Sequence, residues 1–342
     1  MTDNTIYAQS EFAQKALELV KGLQSSLASG LSALDSDTTF EPIEWSRDSG
    51  QHGGGVRLAA TTGKLFNCAS VNISQVHYDD CREKKLGSAS AISTIIHPNN
   101  PHAPSMHMHI SWTEMKNGQG YWRIMADLNP SLDGCETSGF VNIFESIVPA
   151  LAVEGFEQGD RYFYIPALKR HRGVSHFYLE NYNSGDFEQD SVMAQTIGEA
   201  VIQYYCAKVK AQIEQHREIS AEDVAKQLAY HTLYFFQVLT LDRGTTSGLL
   251  VHNQNDTGIL ASLPARVNRD LLKSWLPLMQ RPQEELLAGL IGCLGDEEVV
   301  DVDTFCKKEL CDVVRAHYQK YPEAMKLQAR GNVIPPTVNN HK

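Results

Sequence analysis

The clearest pattern in this chain is a strict alternation of hydrophobic and polar positions between residues 106 and 112. The hydrophobic positions are Met106, Met108, Ile110 and Trp112, and the polar positions are His107, His109 and Ser111. A period of two predicts a half-buried strand with both imidazoles on one face. Three prolines and two asparagines in residues 98–104 predict an irregular loop before it, because proline fixes φ and lacks an amide hydrogen.

Other segments show helical or strand-like spacing. Apolar residues at three- and four-residue steps predict an amphipathic helix over residues 9–34, and further helices at 138–156, 191–216, 221–233, 268–279, 283–293 and 303–319. Strand-like runs cover residues 55–60, 65–76, 90–97, 121–128, 162–165, 177–179 and 234–241. Strands that come in runs with helices around them favour an α+β fold with a mainly antiparallel sheet.

No internal repeat or low-complexity linker divides the chain. We therefore expect residues 1–330 to form a single domain with a helical C-terminal segment at residues 299–325. Residues 331–342 have the composition of a polar tail, which we expect to be poorly ordered.

The turn after the histidine strand decides which residue faces Asp127. The composition of residues 116–120 predicts a hairpin. A two-residue turn at Asn117–Gly118 would pair His109 with Ala126, whereas one more loop residue or a bulge would pair His109 with Asp127. We predict the second register, because an imidazole beside a carboxylate has a defined tautomer and a partner charge for proton transfer.

Two further motifs are open to two interpretations each. The run Lys169-Arg170-His171-Arg172 is either a solvated loop or, if it folds toward His107, a wall that binds anions. The triple glycine at residues 53–55 fits either a tight turn into a strand or a backbone that a bulky ligand approaches closely.

Composition narrows the class of protein. The 342 residues are 42% hydrophobic and 21% charged, which is typical of a soluble globular protein. A net charge of −11 argues against general nucleic-acid binding but permits a local arginine site for an anionic small molecule. Seven cysteines without a Cys-x-x-Cys pair indicate reduced thiols. Without an apolar run long enough to span a membrane or a signal-like N-terminus, we expect a cytoplasmic protein.

Several motifs in a fixed order carry a resemblance that covers most of the chain. They are Trp-x-Arg at 45–47, Phe-x-x-Ala-x-Val-Asn-Ile-Ser at 66–74, His-Pro-x-Asn-Pro-x-x-Pro-x-x-His at 97–107, Asp-Leu-x-Pro at 127–130, His-Arg-Gly at 171–173, Asp-Arg-Gly-Thr-x-x-Gly-Leu at 242–249 and Ile-Leu-x-Ser-Leu-Pro at 259–264. This chain resembles the oxygen-dependent coproporphyrinogen III oxidases.

The resemblance implies a homodimer whose subunit is a large antiparallel sheet packed between helices. It also implies oxidative decarboxylation of two coproporphyrinogen III propionates to vinyl groups, which gives protoporphyrinogen IX in heme biosynthesis. Dioxygen would be the co-substrate, with no metal or organic cofactor.

The resemblance also assigns residues. It implies that His107, Asp127 and Arg172 are catalytic, with Asp127 holding the pyrrole N–H groups and Arg172 gripping a propionate. Further candidates for substrate binding are His97, Asn99, His109, Arg123, His171, Ser175 and Arg243.

The chain departs from the family pattern in the presumed pocket. His109 and Ser111 stand where the family has Asn and Arg, and His252-Asn253-Gln254 replaces a Gly-Gly-Arg loop. Residues 123–126 replace a glycine-rich segment, and Ser131 and Leu132 replace two tyrosines. The first hypothesis is therefore a divergent coproporphyrinogen III oxidase in which Arg123 or Arg57 replaces the lost arginines.

Two alternatives stay open. The second hypothesis is an oxidase with another substrate, in which His107, His109 and Asp127 hold Fe or Mn, since two imidazoles and a carboxylate suit non-heme iron. The third hypothesis is a non-catalytic tetrapyrrole-binding homologue.

Overall fold

The computed structural model describes residues 5–60, 63–333 and 336–341 of the chain. Its strands are β1 (Phe40–Ser46), β2 (Gly53–Ala60), β3 (Phe66–His77), β4 (Leu86–Pro98), β5 (Ser105–Met115), β6 (Gly120–Asn129), β7 (Tyr164–Ile165), β8 (Arg170–His171), β9 (Ser175–Tyr182), β10 (Arg266–Asn268) and β11 (Val299–Asp301). Seven of them form one antiparallel sheet in the order β1-β2-β3-β4-β5-β6-β9. The pairs β7–β8 and β10–β11 form two small sheets.

Helices surround this sheet. The α-helices are α1 (Glu11–Ser32), α2 (Ser138–Ile147), α3 (Pro149–Phe163), α4 (Phe187–Gln215), α5 (Ala221–Thr240), α6 (Arg243–Val251), α7 (Asp256–Ile259), α8 (Arg269–Trp275), α9 (Gln283–Gly292), α10 (Thr304–Lys320) and α11 (Thr337–Asn340). Short 3-10 turns occupy Asp48–Gly50, Asn253–Asn255, Leu260–Ser262, Leu276–Leu278 and Pro322–Leu327. The predicted α+β fold with a mainly antiparallel sheet packed between helices is confirmed.

The two faces of the sheet differ in chemistry. Alternate residues on one face are apolar and form a hydrophobic core with α1 and α4. Residues on the opposite face are mainly small or polar, and a second core built from α5, α6, α8, α9 and α10 lies on that side. The alternation predicted for residues 106–112 is confirmed, since Met106, Met108 and Ile110 are fully buried in the first core.

Helix α1 covers the apolar face, as its spacing predicts. The Ser10 side chain caps it by accepting a hydrogen bond from the Ala13 amide. Leu23, Leu27 and Leu31 form one stripe of the helix, and each is at most 1% exposed. Residues three and four apart share a helix face, which explains why this sequence places a leucine stripe on the sheet.

The predicted strand at residues 234–241 is wrong, because residues 234–240 are the last two turns of helix α5. Every residue from Tyr230 to Thr240 is buried, so the run lacks the polar positions that would reveal a helical period. A capping box between Ser220 and Asp223 starts the helix and commits the segment to helical structure.

Other boundaries differ for identifiable reasons. The helix predicted at 138–156 is two helices, because Pro149 starts α3 at its first turn. Residues 162 and 163 belong to α3, so the strand predicted at 162–165 is only Tyr164–Ile165. Strand β1 was not predicted, because it is a mostly exposed edge strand without a hydrophobic face.

The C-terminal end of the chain packs against the sheet. The predicted helical segment 299–325 contains β11, α10 and a 3-10 turn. Within the predicted tail, residues 334, 335 and 342 lie outside the described residues. Within residues 336–341, Nδ1 of His341 is 3.0 Å from the Tyr78 hydroxyl, and Lys84 donates to the carbonyl of His341 at 2.8 Å. The expected poor order of the tail stays a prediction. Within the described ranges, no helix is both long and apolar enough to cross a membrane.

The approach of α3 to the sheet gives a testable prediction. A Cβ on Gly155 would lie 2.2 Å from the fully buried ring of Phe177, so Gly155→Ala forces a shift in a packed layer. We expect Gly155→Ala to lower the free energy of unfolding by about 1–3 kcal/mol in chemical denaturation. Gly22→Ala in α1 is the matched control, because nothing lies within 4 Å of its Cβ position. The control should raise the free energy of unfolding by about 0.4–1 kcal/mol.

Candidate active site

A cleft of about 280 Å³ lies between the polar face of the sheet and the layer formed by α5 and α6. Strands β5 and β6 contribute His107, His109 and Arg123 to its lining, and Arg172 and Arg243 also line it. Small side chains of β3 and β4, including Ser74, Ala91 and Ser93, keep the space open between the two layers. The structure therefore brings five of the predicted site residues to one cleft.

The hairpin between β5 and β6 sets the register of this site. Its loop is Lys116-Asn117-Gly118, with Gly118 at a φ of 83° that suits glycine. The loop has the extra residue that we expected, but at its beginning rather than its end. Asp127 therefore pairs with His107, and His109 pairs with Met125. The predicted pairing of His109 with Asp127 is wrong, although all three side chains share one face.

Asp127 is the buried centre of the site. Its Oδ1 lies 2.9 Å from Nδ1 of His107, and its Oδ2 accepts hydrogen bonds from Arg172 at 2.6 Å and from the Asn129 amide. Because a carboxylate only accepts, Nδ1 of His107 carries the proton and Nε2 is left for proton transfer. Burial favours the neutral acid, but Arg172 and His107 outweigh burial and hold the pKa of Asp127 well below its usual range.

Arg172 is the member of the 169–172 run that turns inward. It is 3% exposed, donates to Gln237 of α5 at 2.7 Å, and lies over the rings of Phe163 and Tyr234. Gly173 makes this approach possible, since a Cβ there would lie 2.1 Å from Oδ1 of Asn129. Lys169 and Arg170 are exposed, as the solvated-loop interpretation expects, whereas binding of an anion by the run stays a prediction.

The other cleft arginines differ in how they are neutralised. Arg243 forms an ion pair with the buried Glu180 at 2.6 Å, and the Tyr178 hydroxyl donates to the same carboxylate oxygen at 2.7 Å. Arg123 has no carboxylate within 4.0 Å in the part of the chain that the structure describes.

His109 is neutral in this site. Its burial, and to a smaller extent the positive charge of Arg123, hold the pKa of His109 well below the usual value.

Four predicted substrate-binding residues lie outside the cleft lining. His97 is fully buried and bonds to Ser105 at 2.8 Å, and Asn99 is exposed and donates to the carbonyl of Lys64. His171 contacts the ring of Tyr164 on β7. Ser175 pairs with Leu128 and therefore points to the apolar face of the sheet. Sequence motifs contain both cleft residues and the residues that shape the surrounding loops, which explains why these four lie away from the cleft.

The alternative metal site is not assembled. Among the described residues, the donor atoms of His107, His109 and Asp127 do not converge as a three-ligand group. Both oxygens of Asp127 are already bonded within the protein, and Nε2 of His109 lies 3.0 Å from the Ser111 hydroxyl. A cation at this position would also meet the guanidinium of Arg172, which is buried beside the carboxylate.

The same geometry bears on the direct role implied for Asp127. Its side chain has no exposed surface and contacts His107 and Arg172, which line the cleft. The sequence interpretation also missed Asp242, Glu180 and Tyr178, which line the cleft. Tyr178 lies within the predicted strand 177–179, Glu180 continues its alternation one residue past the predicted end, and Asp242 precedes Arg243 in a quoted motif. Those two signals were available in the sequence.

The lowered pKa of Asp127 gives a second prediction. A carboxylate whose pKa falls on folding adds stability above its unfolded pKa of about 3.9, and that stability is lost as the pH falls toward the folded value. Asp127→Asn also leaves Arg172 buried without its counter-charge, which costs about 3–5 kcal/mol at neutral pH. We expect the difference in unfolding free energy between wild type and Asp127→Asn to be largest near neutral pH and to shrink below about pH 4.

Denaturation with urea at a series of pH values measures this difference. Asp270→Asn is the control, because the Asp270–Lys273 pair is exposed and is worth about 1 kcal/mol or less. A pH-independent difference for Asp127→Asn would contradict the proposed charge state of the buried carboxylate.

Comparison with known proteins agrees with this architecture. A family profile described as coproporphyrinogen III oxidase matches residues 15–277. The mitochondrial oxygen-dependent coproporphyrinogen-III oxidase of Rattus norvegicus is 27% identical over 284 residues, covering 75% of this chain and 63% of the rat protein. The oxygen-dependent coproporphyrinogen-III oxidase of Rickettsia bellii is 29% identical over 253 residues, covering 67% of this chain and 84% of that protein. The chain spans somewhat less than two thirds of the rat relative. With most of its length matched, it belongs to the coproporphyrinogen III oxidase family.

Proposed function

We propose that this protein is an oxygen-dependent oxidoreductase that decarboxylates propionate side chains of coproporphyrinogen III to vinyl groups, giving protoporphyrinogen IX in heme biosynthesis. The observation that carries the proposal is the bonded network of His107, Asp127 and Arg172: the family motifs contain all three residues, and His107 and Arg172 line the cleft. Two named relatives with this activity support it.

The reaction sets requirements on the site. Each propionate loses carbon dioxide and one hydrogen with its electron pair, and a vinyl group forms. Dioxygen accepts the two electrons and two protons and becomes hydrogen peroxide, so the reaction balances without a metal or an organic cofactor. The protein must hold the carboxylate, position the substrate carbon and manage protons.

His107 is our candidate for the proton-transfer residue. Its Nδ1 is fixed by Asp127 at 2.9 Å, so Nε2 is the nitrogen that can exchange a proton in the cleft. Asp127 acts as a positioning residue, because it fixes the tautomer and orientation of His107 without reaching the cleft itself.

Arg123 is our candidate for holding a propionate. It lines the cleft and has no carboxylate partner among the described residues. Buried polar atoms normally have hydrogen-bond partners, yet Nε of Arg123, Nε of Arg172 and Oδ1 of Asn72 have none in the described part of the chain. A bound substrate with carboxylate and N–H groups would supply both kinds of partner.

Asp242 is better placed than Asp127 to accept pyrrole N–H groups. It lines the cleft, and its Oδ1 accepts the amide of Thr245 at 2.7 Å as the N-cap of α6. No hydrogen bond joins its Oδ2 to another described residue. We therefore assign the carboxylate that faces the pyrrole nitrogens to Asp242.

A second candidate is oxidation of a less anionic substrate on the same scaffold. Two of the three cleft arginines, Arg172 and Arg243, are already paired with Asp127 and Glu180. Arg123 alone is left to bind a carboxylate without displacing a partner in the described structure, whereas coproporphyrinogen III carries four carboxylates. A substrate with fewer carboxylates would suit this charge balance.

The remaining properties in this proposal have two sources. A homodimer and dioxygen as the only co-substrate rest on the family resemblance, whereas residues 1–330 as one domain and a cytoplasmic location rest on the sequence patterns described above. The net charge of −11 supports a small-molecule partner rather than a nucleic acid.

Turnover of coproporphyrinogen III tests the proposal. Purified protein is incubated with substrate under air and under argon, with and without chelator, and the products are separated by chromatography. We expect a divinyl product that requires oxygen and is insensitive to chelator. His107→Gln should lower kcat by about 10²–10⁴-fold, which is the usual contribution of a positioned proton-transfer group. The control is Asn99→Ala. Asn99 is exposed and lies outside the cleft, so this variant should retain activity. Absence of product at high enzyme concentration would exclude this substrate.

Substrate binding gives a separate prediction for Arg123. Loss of its guanidinium removes a contact that substrate and transition state share, so Arg123→Met should raise KM by at least about tenfold with a smaller change in kcat. The exposed Arg217 provides the control, and Arg217→Met should leave both constants unchanged. An Arg123→Met enzyme with wild-type KM would refute the assignment of the propionate site.

A further inference from the structure

A second cluster of reactive side chains lies where two loops meet. His52 precedes β2 in the turn after β1, and Asp80 and Cys81 lie in the loop between β3 and β4. Of all the described residues, these three form the one group whose nitrogen, oxygen and sulfur donors approach within 4.8 Å of one another. None of the three lines the cleft, so the cluster is separate from the proposed reaction.

The spacing of the three donors matches one face of a tetrahedron. Nε2 of His52 lies 3.0 Å from Oδ1 of Asp80 and 3.6 Å from Sγ of Cys81, and the sulfur is 3.3 Å from the same oxygen. Zinc bond lengths of about 2.0–2.1 Å to N and O and about 2.3 Å to S give edges of roughly 3.3 Å for N–O and 3.5 Å for N–S and O–S. The observed donor–donor distances differ from these edges by only about 0.1–0.3 Å, so small movements would bring all three donors to a zinc ion.

Neighbouring side chains already orient the donors. Nδ1 of His52 lies 2.6 Å from Oδ2 of Asp48, so the carboxylate holds the ring with Nε2 toward Asp80 and Cys81. The side-chain amide of Gln51 donates to the other oxygen of Asp80 at 2.9 Å. A histidine that binds a metal through one ring nitrogen usually has a carboxylate or carbonyl on the other.

We propose that His52, Asp80 and Cys81 form a binding site for a zinc ion, with the fourth position taken by solvent. A mixed set of imidazole, carboxylate and thiolate suits zinc better than magnesium or calcium, which prefer oxygen ligands alone. On binding, Cys81 releases its thiol proton to solvent and a sulfur–zinc bond forms, with no change in oxidation state.

The position of the site indicates a structural role. The ring of His52 lies 5.4 Å from that of Tyr78, whose hydroxyl bonds to His341 at the edge of the cleft. A metal ion here would cross-link the turn at residue 52 to the loop at residues 80–81, and so would support the contact that holds the C-terminal segment. Zinc binding should then raise the thermal unfolding temperature of the folded protein.

Cobalt titration of the full chain tests this proposal. The protein is purified with chelator and reductant, the chelator is removed, and Co²⁺ is added as a spectroscopic probe that Zn²⁺ should displace. We expect one cobalt per chain with a thiolate-to-metal charge-transfer band. Cys81→Ser should abolish the band, whereas Cys135→Ser, at another half-buried cysteine, should retain it. Asp48→Asn should weaken cobalt binding by about 10–100-fold, because it removes the carboxylate that orients the ring of His52.

Wild-type protein alone also decides the question. X-ray absorption at the zinc edge should show one sulfur and a remainder of nitrogen and oxygen neighbours, which requires no variant to fold. A thiolate band that survives Cys81→Ser, a wild-type protein without such a band, or a zinc shell without sulfur would each overturn the site. In each of those cases His52 would serve only to bridge the carboxylates of Asp48 and Asp80.

Discussion

The buried ion pair between Asp127 and Arg172 is the interaction on which the site depends. It joins β6, the neighbour of edge strand β9, to the loop before β9, and Arg172 continues the connection to Gln237 in α5. Removal of two charges from water is costly, and the cost is offset only when geometry and hydrogen bonding are complete. Here His107 and Asn129 complete the hydrogen bonding of the carboxylate. The same bonds that make the pair tolerable also fix the tautomer of His107.

Local patterns predicted the elements that have two chemically different faces. Strand β5 and helix α1 each have one apolar and one polar side, so the spacing of their residues reveals both type and orientation. Helix α5 is buried on all sides from Tyr230 to Thr240, and edge strand β1 is mostly exposed. Neither segment has an informative period. Their structures are decided by packing against other elements, which a single sequence does not display.

The site was predicted in part for a similar reason. Family motifs pointed to Arg172 and Arg243, but they did not show that each guanidinium is neutralised by a carboxylate from another element. Glu180 and Arg243 are 63 positions apart, and the pair forms because the fold brings the first residue of α6 within reach of β9. The register error at the hairpin has a different origin. Loop length fixes the pairing only when the position of the extra residue is known, and composition alone permits either end.

Charge balance and sequence coverage together indicate where this chain can differ from its relatives. The family match ends at residue 277, yet Thr337, Asn340 and His341 from the C-terminal segment line the cleft. Among the described cleft arginines, only Arg123 lacks a carboxylate partner, and it lies in a strand where the chain departs from the family pattern. The network that we propose for proton transfer therefore lies within the matched range, whereas part of the cleft wall lies beyond it. A substrate preference different from that of the relatives would arise from that wall, since His107 and Asp127 are positioned independently of it.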